Sequence, residues 1–284
     1  MQRLILPMIA LAATLHAQPQ SSTLPVETKV WVATKLYSGI QMYFAHAEGA
    51  PEFDLDRDFQ QHLKAAFAAP DRRTFDLASM AFMGKLRNGH SFFYDEWLFK
   101  NYGQNLGFTL LPMTDGWVVT FSRLPDLNPG DIVVSVGGKP IEQFYAEYDG
   151  MIEGSSESTR RRRFLWQTYL WPAKFELGLA GGKQVAIDRL QQTLQRTRGF
   201  QTPQGEPKLP AGIAYLRLSS FEDPKIELSA VTRVKELQSA NAIIFDVRGN
   251  GGGSTPSQLI AALLNRPWRD FRFTTPFSIA HAGA

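Results

Sequence analysis

The sequence contains no cysteine among its 284 residues. That absence excludes a disulfide framework, a thiolate zinc site, an iron–sulfur cluster and a cysteine nucleophile. Charge of one sign is also lacking: 30 Lys and Arg stand against 27 Asp and Glu, a formal charge of +3. So small an excess does not argue for nucleic acid as a partner. After the first 17 residues, no stretch is long and apolar enough to span a bilayer, which takes about 18 or more apolar residues. Histidine is scarce, with five in the chain, and this narrows the choice of a general base. Apolar residues at 44% and charged residues at 20% are ordinary globular composition and exclude a disordered or fibrous chain. The length suggests about two domains.

The N-terminus carries a targeting signal. Met1-Gln2-Arg3 is a short positive segment, Leu4 to Leu15 is apolar, and Leu15-His16-Ala17 ends in the small residue that a signal peptidase needs. This reads as a secretory signal cleaved after Ala17, because the apolar run is too short for an anchor. The expectation is an exported, soluble protein, periplasmic or extracellular, with no stable membrane span.

The expected fold class is mixed α/β. Residues 18–101 form a helical region. In it Val30, Trp31, Ala33, Leu36, Tyr37, Ile40 and Tyr43 recur at the spacing of one helix face. Phe59, Leu63, Ala66 and Phe67 do the same. Pro70-Asp71 opens a third helix, and Asn88-Gly89 stops it. Residues 102–198 read as a β-rich module with strands at Phe108–Leu111, Trp117–Phe121, Ile132–Val136, Phe175–Leu179 and Val185–Ile187. Helices are expected around Ile141–Ile152 and Thr159–Leu170. Gly181-Gly182 suits a hairpin turn, since both residues can take positive φ. Arg160–Arg163 reads as a solvated helix face with buried aliphatic stems. Residues 199–210 are a Gly/Pro-rich linker. Residues 211–284 alternate strand and helix: Ile213–Leu218, Pro224–Gln238, Ala242–Val247, Pro256–Leu264 and a strand at Phe271–Thr275. That order predicts a parallel sheet, here too small to cover both faces, so the α/β core is expected to be incomplete.

The strongest chemical signal is Arg248-Gly249-Asn250-Gly251-Gly252-Gly253-Ser254, between an apolar strand and a helix. Consecutive glycines at such a bend expose N–H groups that bind negative charge: a phosphate, a carboxylate or a transition-state oxyanion. A Walker loop needs Gly-Lys-Ser/Thr, and no Lys is present. A dinucleotide fingerprint needs glycine where Ser254 stands. Asp270 does lie about 20 residues on, as that motif prefers, but too little chain follows for a nucleotide domain. A tight turn that only packs a helix on a sheet is the remaining alternative. Ser254 and Ser257 are expected to cap the following helix. Asp54-x-Asp56-x-Asp58 lacks the glycine and the distal glutamate of a calcium loop and reads as a helix start. No metal or cofactor is expected.

Ile244-Phe245-Asp246-Val247-Arg248-Gly249-Asn250-Gly251-Gly252-Gly253 resembles the strand and glycine loop of the tail-specific, or C-terminal processing, serine peptidases, in the histidine-using, tricorn-like branch. Leu86-Arg87-Asn88-Gly89-His90-Ser91-Phe92 is similar to the family's segment ahead of its PDZ-like module. Asn105-Leu106-Gly107-Phe108 is similar to the PDZ carboxylate-binding loop except at its first position. Leu127–Gly138 is similar to a second PDZ signature. The resemblance implies a PDZ-like domain at 102–198, His90 as general base, and amides of Gly251 and Gly252 in an oxyanion hole. It further implies amides of Leu106, Gly107 and Phe108 that hold a substrate's C-terminal carboxylate. The implied partner is a polypeptide, recruited through its C-terminus.

His90 alone among the histidines follows a helix stop, which presents a side chain at an exposed bend; taken alone, such a residue is more often structural than catalytic. The chain also departs from the family. No Ser-x-x-Glu follows residue 250, so the nucleophile and its acid are expected to lie outside this chain, which would then be a C-terminally truncated piece, inactive alone. The alternative is a non-catalytic peptide- or hydrophobic-ligand-binding protein on the same scaffold.

Overall fold

The computed structural model describes residues 22–190 and 207–269. The expected signal sequence, most of the expected linker and the strand expected at Phe271–Thr275 lie outside the described residues. By internal contacts the chain falls into two units. The first comprises the N-terminal residues through Gln104 together with Glu142–Ala173; the second comprises Asn105–Ile141 and the chain from Lys174 onward to Pro276.

The first unit is helical: α1 (Val26–Tyr43), α2 (Leu55–Ala68), α3 (Arg72–Gly84) and α4 (Glu96–Tyr102). Three of these begin at aspartate caps. Asp54, Asp71 and Asp95 accept hydrogen bonds from the backbone N–H groups of Arg57, Thr74 and Trp97, as orphan first-turn donors require. Ile40, Phe82, Met83 and Leu86 make one core, with Phe53, Phe59 and Phe93 packed on it. The buried face of α1 is narrower than its apolar pattern suggests. Ala33 and Ile40 are buried, but Val30, Trp31 and Tyr43 are exposed. The buried stripe instead starts at Lys29, whose Nζ donates to the carbonyl of Ala69 at 2.7 Å. The Trp31 ring lies under the Lys35 ammonium, 4.5 Å from its centroid.

The 54–58 segment is a helix start, with Asp54, Asp56 and Arg57 exposed and Asp58 buried. Asp54 is the cap, Asp56 accepts from the Tyr37 hydroxyl at 2.7 Å, and Asp58 is buried between Arg57 and Lys85. These contacts hold the Asp58 carboxyl at about 2, because the hydrogen bonds from Arg57 and Lys85 outweigh its burial.

Two further helices, α5 (Ile141–Ala146) and α6 (Glu157–Phe164), flank a 3₁₀ turn at Asp149–Met151. Except for Ile141 they belong to the first unit. Of the four α6 arginines Arg162 is exposed, while the other three are partly buried and paired. Arg160 pairs with Asp149 at 2.7 Å, Arg161 with Glu142 and Glu157, and Arg163 with Glu153 at 3.2 Å. Half-buried guanidiniums need such partners, since an unpaired buried charge is costly.

In the second unit, β1 (Phe108–Met113), β2 (Gly116–Ser122), β3 (Ile132–Val136), β4 (Lys139–Pro140), β5 (Lys174–Leu179) and β6 (Gln184–Asp188) form one antiparallel sheet. Its order is β1-β2-β3-β5-β6, with β4 on β3. The sequence placed all five main strands within a residue or two. Inward positions such as Trp117, Val119, Val133 and Leu177 are buried, which is the alternation that a half-covered sheet demands. Gly182, at φ 82°, closes the β5–β6 hairpin.

The C-terminal part holds β7 (Ile213–Arg217), α7 (Pro224–Glu236), β8 (Ala242–Asp246) and α8 (Ser257–Leu263). β7 and β8 pair in parallel, with Ile213 opposite Ala242 and Arg217 opposite Asp246. Leu218, Ala230, Val234 and Leu259 form the core between strands and helices.

Candidate active site

The sequence-derived site residues fall in both units: His90 in the first, and the glycine loop with Leu106, Gly107 and Phe108 in the second. Each part is described on its own.

The glycine loop leaves β8 at Asp246. This buried carboxylate accepts from the Arg248 backbone N–H at 2.9 Å, from Arg248 Nε at 2.8 Å, from Arg248 Nη2 at 2.6 Å and from the Tyr215 hydroxyl on β7. The Arg248 hydrogen bonds, then that of Tyr215, hold the Asp246 carboxyl far below the usual carboxylate range. Arg248 is thereby folded back on the strand end and does not reach over the loop.

Asn250 sets the loop's shape with both ends of its amide. Its Oδ1 accepts from the Gly252 N–H at 2.8 Å, and its Nδ2 donates to the Leu218 carbonyl at 3.0 Å. Next, Phe221 and Gly253 form a bridge: the Phe221 N–H donates to the Gly252 carbonyl at 2.9 Å and the Ser254 N–H to the Phe221 carbonyl at 3.0 Å. Gly253 sits at φ 129°, and a Cβ there would lie 2.1 Å from the Phe221 carbonyl carbon, so no other residue fits. The Gly252 amide is therefore engaged within the loop. The amides of Gly251 and Gly253 donate to no acceptor among the described residues, and both glycines are exposed.

Ser254 and Ser257 do not cap α8. Glu227, from the first turn of α7, reaches across and accepts from the N–H groups of Gln258 at 2.7 Å and Leu259 at 3.1 Å. A carboxylate thus already occupies the positive end of α8, so the loop's capacity for another anion rests on its open amides.

His90 is exposed, and its N–H donates to Asn88 Oδ1 at 2.8 Å. The α3 stop lies earlier than Asn88-Gly89: the helix ends at Gly84, and the left-handed residue is Arg87, at φ 47°. Such a φ is uncommon for a non-glycine residue. It is anchored through its guanidinium, which donates to Asp149 Oδ2 at 3.2 Å. Asp149 also accepts from Arg160 at 2.7 Å and from the Tyr145 hydroxyl. Burial alone would raise the Asp149 carboxyl, but hydrogen bonds from Arg160 and Tyr145 outweigh it and hold the group low. Gly84 permits the close approach, since a Cβ there would be 2.1 Å from the Gly150 carbonyl oxygen.

Leu106, Gly107 and Phe108 are all buried at the entry to β1. Gly107 is at φ 80°, and its carbonyl accepts from the Arg123 N–H at 2.9 Å. β1 is the last strand of the sheet on its side.

Sequence reasoning did not single out Asp246, Tyr215, Asn250, Glu227, Asp149 or Arg163. An Asn two residues before a glycine is a signal for Asn250, because its side chain readily bonds the backbone two positions on. The others depend on contacts across long stretches of chain. Among the described residues, no group of three or more His, Asp and Glu is placed to hold a metal ion, and no helix is long and apolar enough to cross a membrane.

A sequence model of peptidase family S41 matches residues 212–272, the segment with the glycine loop. No curated protein sequence matches the chain. Among solved structures, mature CPAF complexed with lactacystin is similar at 14% identity and a TM-score of 0.61, covering 84% of this chain and 58% of that one. Mature CPAF alone is similar at 13% identity and a TM-score of 0.58, over 80% of this chain and 56% of that one. A CPAF variant with a serine changed to alanine is similar at 13% identity and a TM-score of 0.61, over 80% and 57%. The chain thus spans less than two thirds of the length of these structures. Its fold is similar to theirs, and its glycine loop lies in the segment that the family S41 model matches.

Proposed function

We propose that this chain supplies the general base and the oxyanion-binding loop of an exported serine endopeptidase of the tail-specific kind. The observation that carries the reading is the open amide pair of Gly251 and Gly253, in the S41-matched loop held by Asn250 and the Phe221 bridge. In acyl transfer, such donors stabilise the oxygen of the tetrahedral intermediate, and they act best when already fixed in place. The Gly252 amide keeps the loop in shape. His90 takes the proton from the serine nucleophile and returns it to the leaving amine.

Leu106, Gly107 and Phe108 would receive the substrate's C-terminal carboxylate in a PDZ-like module. β1, at the edge of the sheet among the described residues, would add the substrate tail as a further strand. The apolar run Leu4–Leu15 supports export to the periplasm or cell exterior. No nucleic acid is expected as a partner.

The test is hydrolysis of a fluorescence-quenched polypeptide by the full-length gene product. His90→Ala should lower kcat by about 10²-fold or more, the scale of a lost general base. Lactacystin, the ligand in the CPAF complex, is a direct probe for a serine-type site here. Tight binding of peptide tails by the intact protein without hydrolysis would replace this reading with the non-catalytic one.

A further inference from the structure

The peptide unit joining Gly89 to His90 is held at both of its polar ends. Its N–H, on His90, donates to Asn88 Oδ1 at 2.8 Å. Its carbonyl, on Gly89, accepts from Arg163 Nη1 at 3.0 Å. A peptide unit is planar, so fixing both ends leaves one orientation of the plane and fixes where the His90 Cα starts. The Asn88 bond is local and turns with the loop. The Arg163 bond comes from α6, 74 residues away, and ties the loop to a separate element.

Arg163 is itself held. Nη1 pairs with Glu153 Oε1 at 3.2 Å and lies 3.4 Å from the Glu153 carbonyl oxygen. Glu153 is steadied in turn by the Gln167 side-chain amide. The guanidinium lies flat against the residue it grips: a Cβ on Gly89 would come within 3.3 Å of Arg163 Nη2. One helical turn earlier, Arg160 fixes Asp149, which anchors Arg87 at the other end of the same loop.

We propose that Arg163 is the positioning residue for His90, holding the Gly89 carbonyl so that the imidazole is presented in one place. The proposal rests on the reading of His90 as general base. A misplacement of about 1 Å can cost about 10²-fold in rate, so a loosened loop should act on kcat far more than on KM.

The experiment uses the full-length protein and four variants: Arg163→Gln, Arg163→Lys, Arg161→Gln and Gly89→Ala. Arg161 shares α6 and contacts Glu142, Glu157 and the Tyr145 ring, 5.1 Å from its centroid, but does not bond the Gly89–His90 peptide, so its loss reports what general weakening of the helix does. By ¹⁵N relaxation, the His90 amide order parameter should fall in Arg163→Gln from about 0.85 to below about 0.6. kcat should fall about tenfold to a hundredfold with KM unchanged. Arg163→Lys should restore part of both effects, and Arg161→Gln should leave both at wild-type values. Gly89→Ala, which presses on the guanidinium from the other side, should reproduce the effect in milder form and keeps the test alive if Arg163→Gln unfolds. A His90 amide as rigid as in the wild type, in a folded Arg163→Gln protein, overturns the proposal. So does an equal fall of kcat in Arg161→Gln. Unchanged kcat in His90→Ala would instead remove the base assignment, an outcome the relaxation measurement registers separately.

Discussion

The Tyr215 hydroxyl on β7 donates to the Asp246 carboxylate on β8, 31 residues away. In the parallel register Tyr215 stands opposite Ile244, so Asp246 is two positions further along and on the same face. Asp246 also takes three hydrogen bonds from Arg248. The strand end and the first residue of the glycine loop are thus one hydrogen-bonded unit.

Tyr215→Phe removes one donor and leaves the Arg248 bonds. It should lower the thermal midpoint slightly and raise the Asp246 pKa toward its ordinary value. Asp246→Asn should do much more, because Arg248 loses its charged partner. A thermal melt of the two variants checks the order, and an Asp246→Asn protein as stable as Tyr215→Phe would contradict it.

Asn250→Ala removes the acceptor of the Gly252 amide and the donor to the Leu218 carbonyl. The fold should survive, since Asn250 lies outside the core, while under the proposed function kcat should fall about tenfold or more as the oxyanion donors lose their fixed geometry. Measured kcat and melting temperature together decide it. A loss of stability with kcat unchanged would show that the loop needs no such brace.

Glu227→Ala should uncap α8. The cost expected is ~1 kcal/mol, the scale of a lost N-cap. Urea unfolding with an unchanged m-value reads this out. No change in the midpoint would mean that water serves the Gln258 and Leu259 amides equally well.

Asp76 on α3 is fully buried, and neither carboxyl oxygen receives a hydrogen bond from a donor among the described residues. Burial, then the charge and proximity of Asp95, push it up to about 8. Asp95 itself is gripped by Arg72 at 2.7 and 2.8 Å, and Asp71 adds a weaker repulsion at the helix start. The folded state therefore holds a proton on Asp76 that the unfolded chain releases near pH 4. Between about pH 4 and 8 the unfolded state binds fewer protons, so stability falls as pH rises, by a few kcal/mol in all. Asp76→Asn, whose amide can donate to Asp95 at any pH, should flatten that slope. Urea midpoints at pH 5 and pH 8 provide the comparison, and parallel slopes in both proteins would reject the assignment.

His62 on α2 behaves in the opposite sense. It stacks on Phe82 at 4.9 Å between ring centroids, and among the described residues its two ring nitrogens reach no partner at full hydrogen-bond geometry. Burial lowers its pKa, outweighing the pull of the Ala78 carbonyl. The neutral ring fits the folded state, so its contribution is present above the unfolded pKa near 6.5 and is lost as pH falls through the lower folded value. His62→Phe should remove that acid sensitivity. Acid unfolding followed by circular dichroism shows whether the transition moves to lower pH.

How much was legible in the sequence depends on how local the physics is. Aspartate caps, alternating strands, Gly-Gly turns and the triple-glycine bend are set by residues a few positions apart, and they could be read directly. The α1 face was misjudged because helical spacing says which residues share a side but not how wide the buried stripe is. Trp31 has the apolar content of a core residue and is 62% exposed. The end of α3 was misjudged because glycine is the usual left-handed residue, whereas here a distant carboxylate holds Arg87 in that conformation.

Sequence alone determined the order of the helices and strands apart from α4 and β4, the parallel pairing of β7 with β8, and the bend at Gly251-Gly252-Gly253, because each follows from backbone preference and apolar period over short spans. Only the tertiary structure decided which loop amides stay open, that Glu227 rather than a serine caps α8, and that Arg163 and Asp149 hold the segment before His90. Those outcomes depend on hydrogen-bond partners brought together from 31 to 74 residues apart, and a charged side chain's choice among several opposite charges is made by packing and not by spacing.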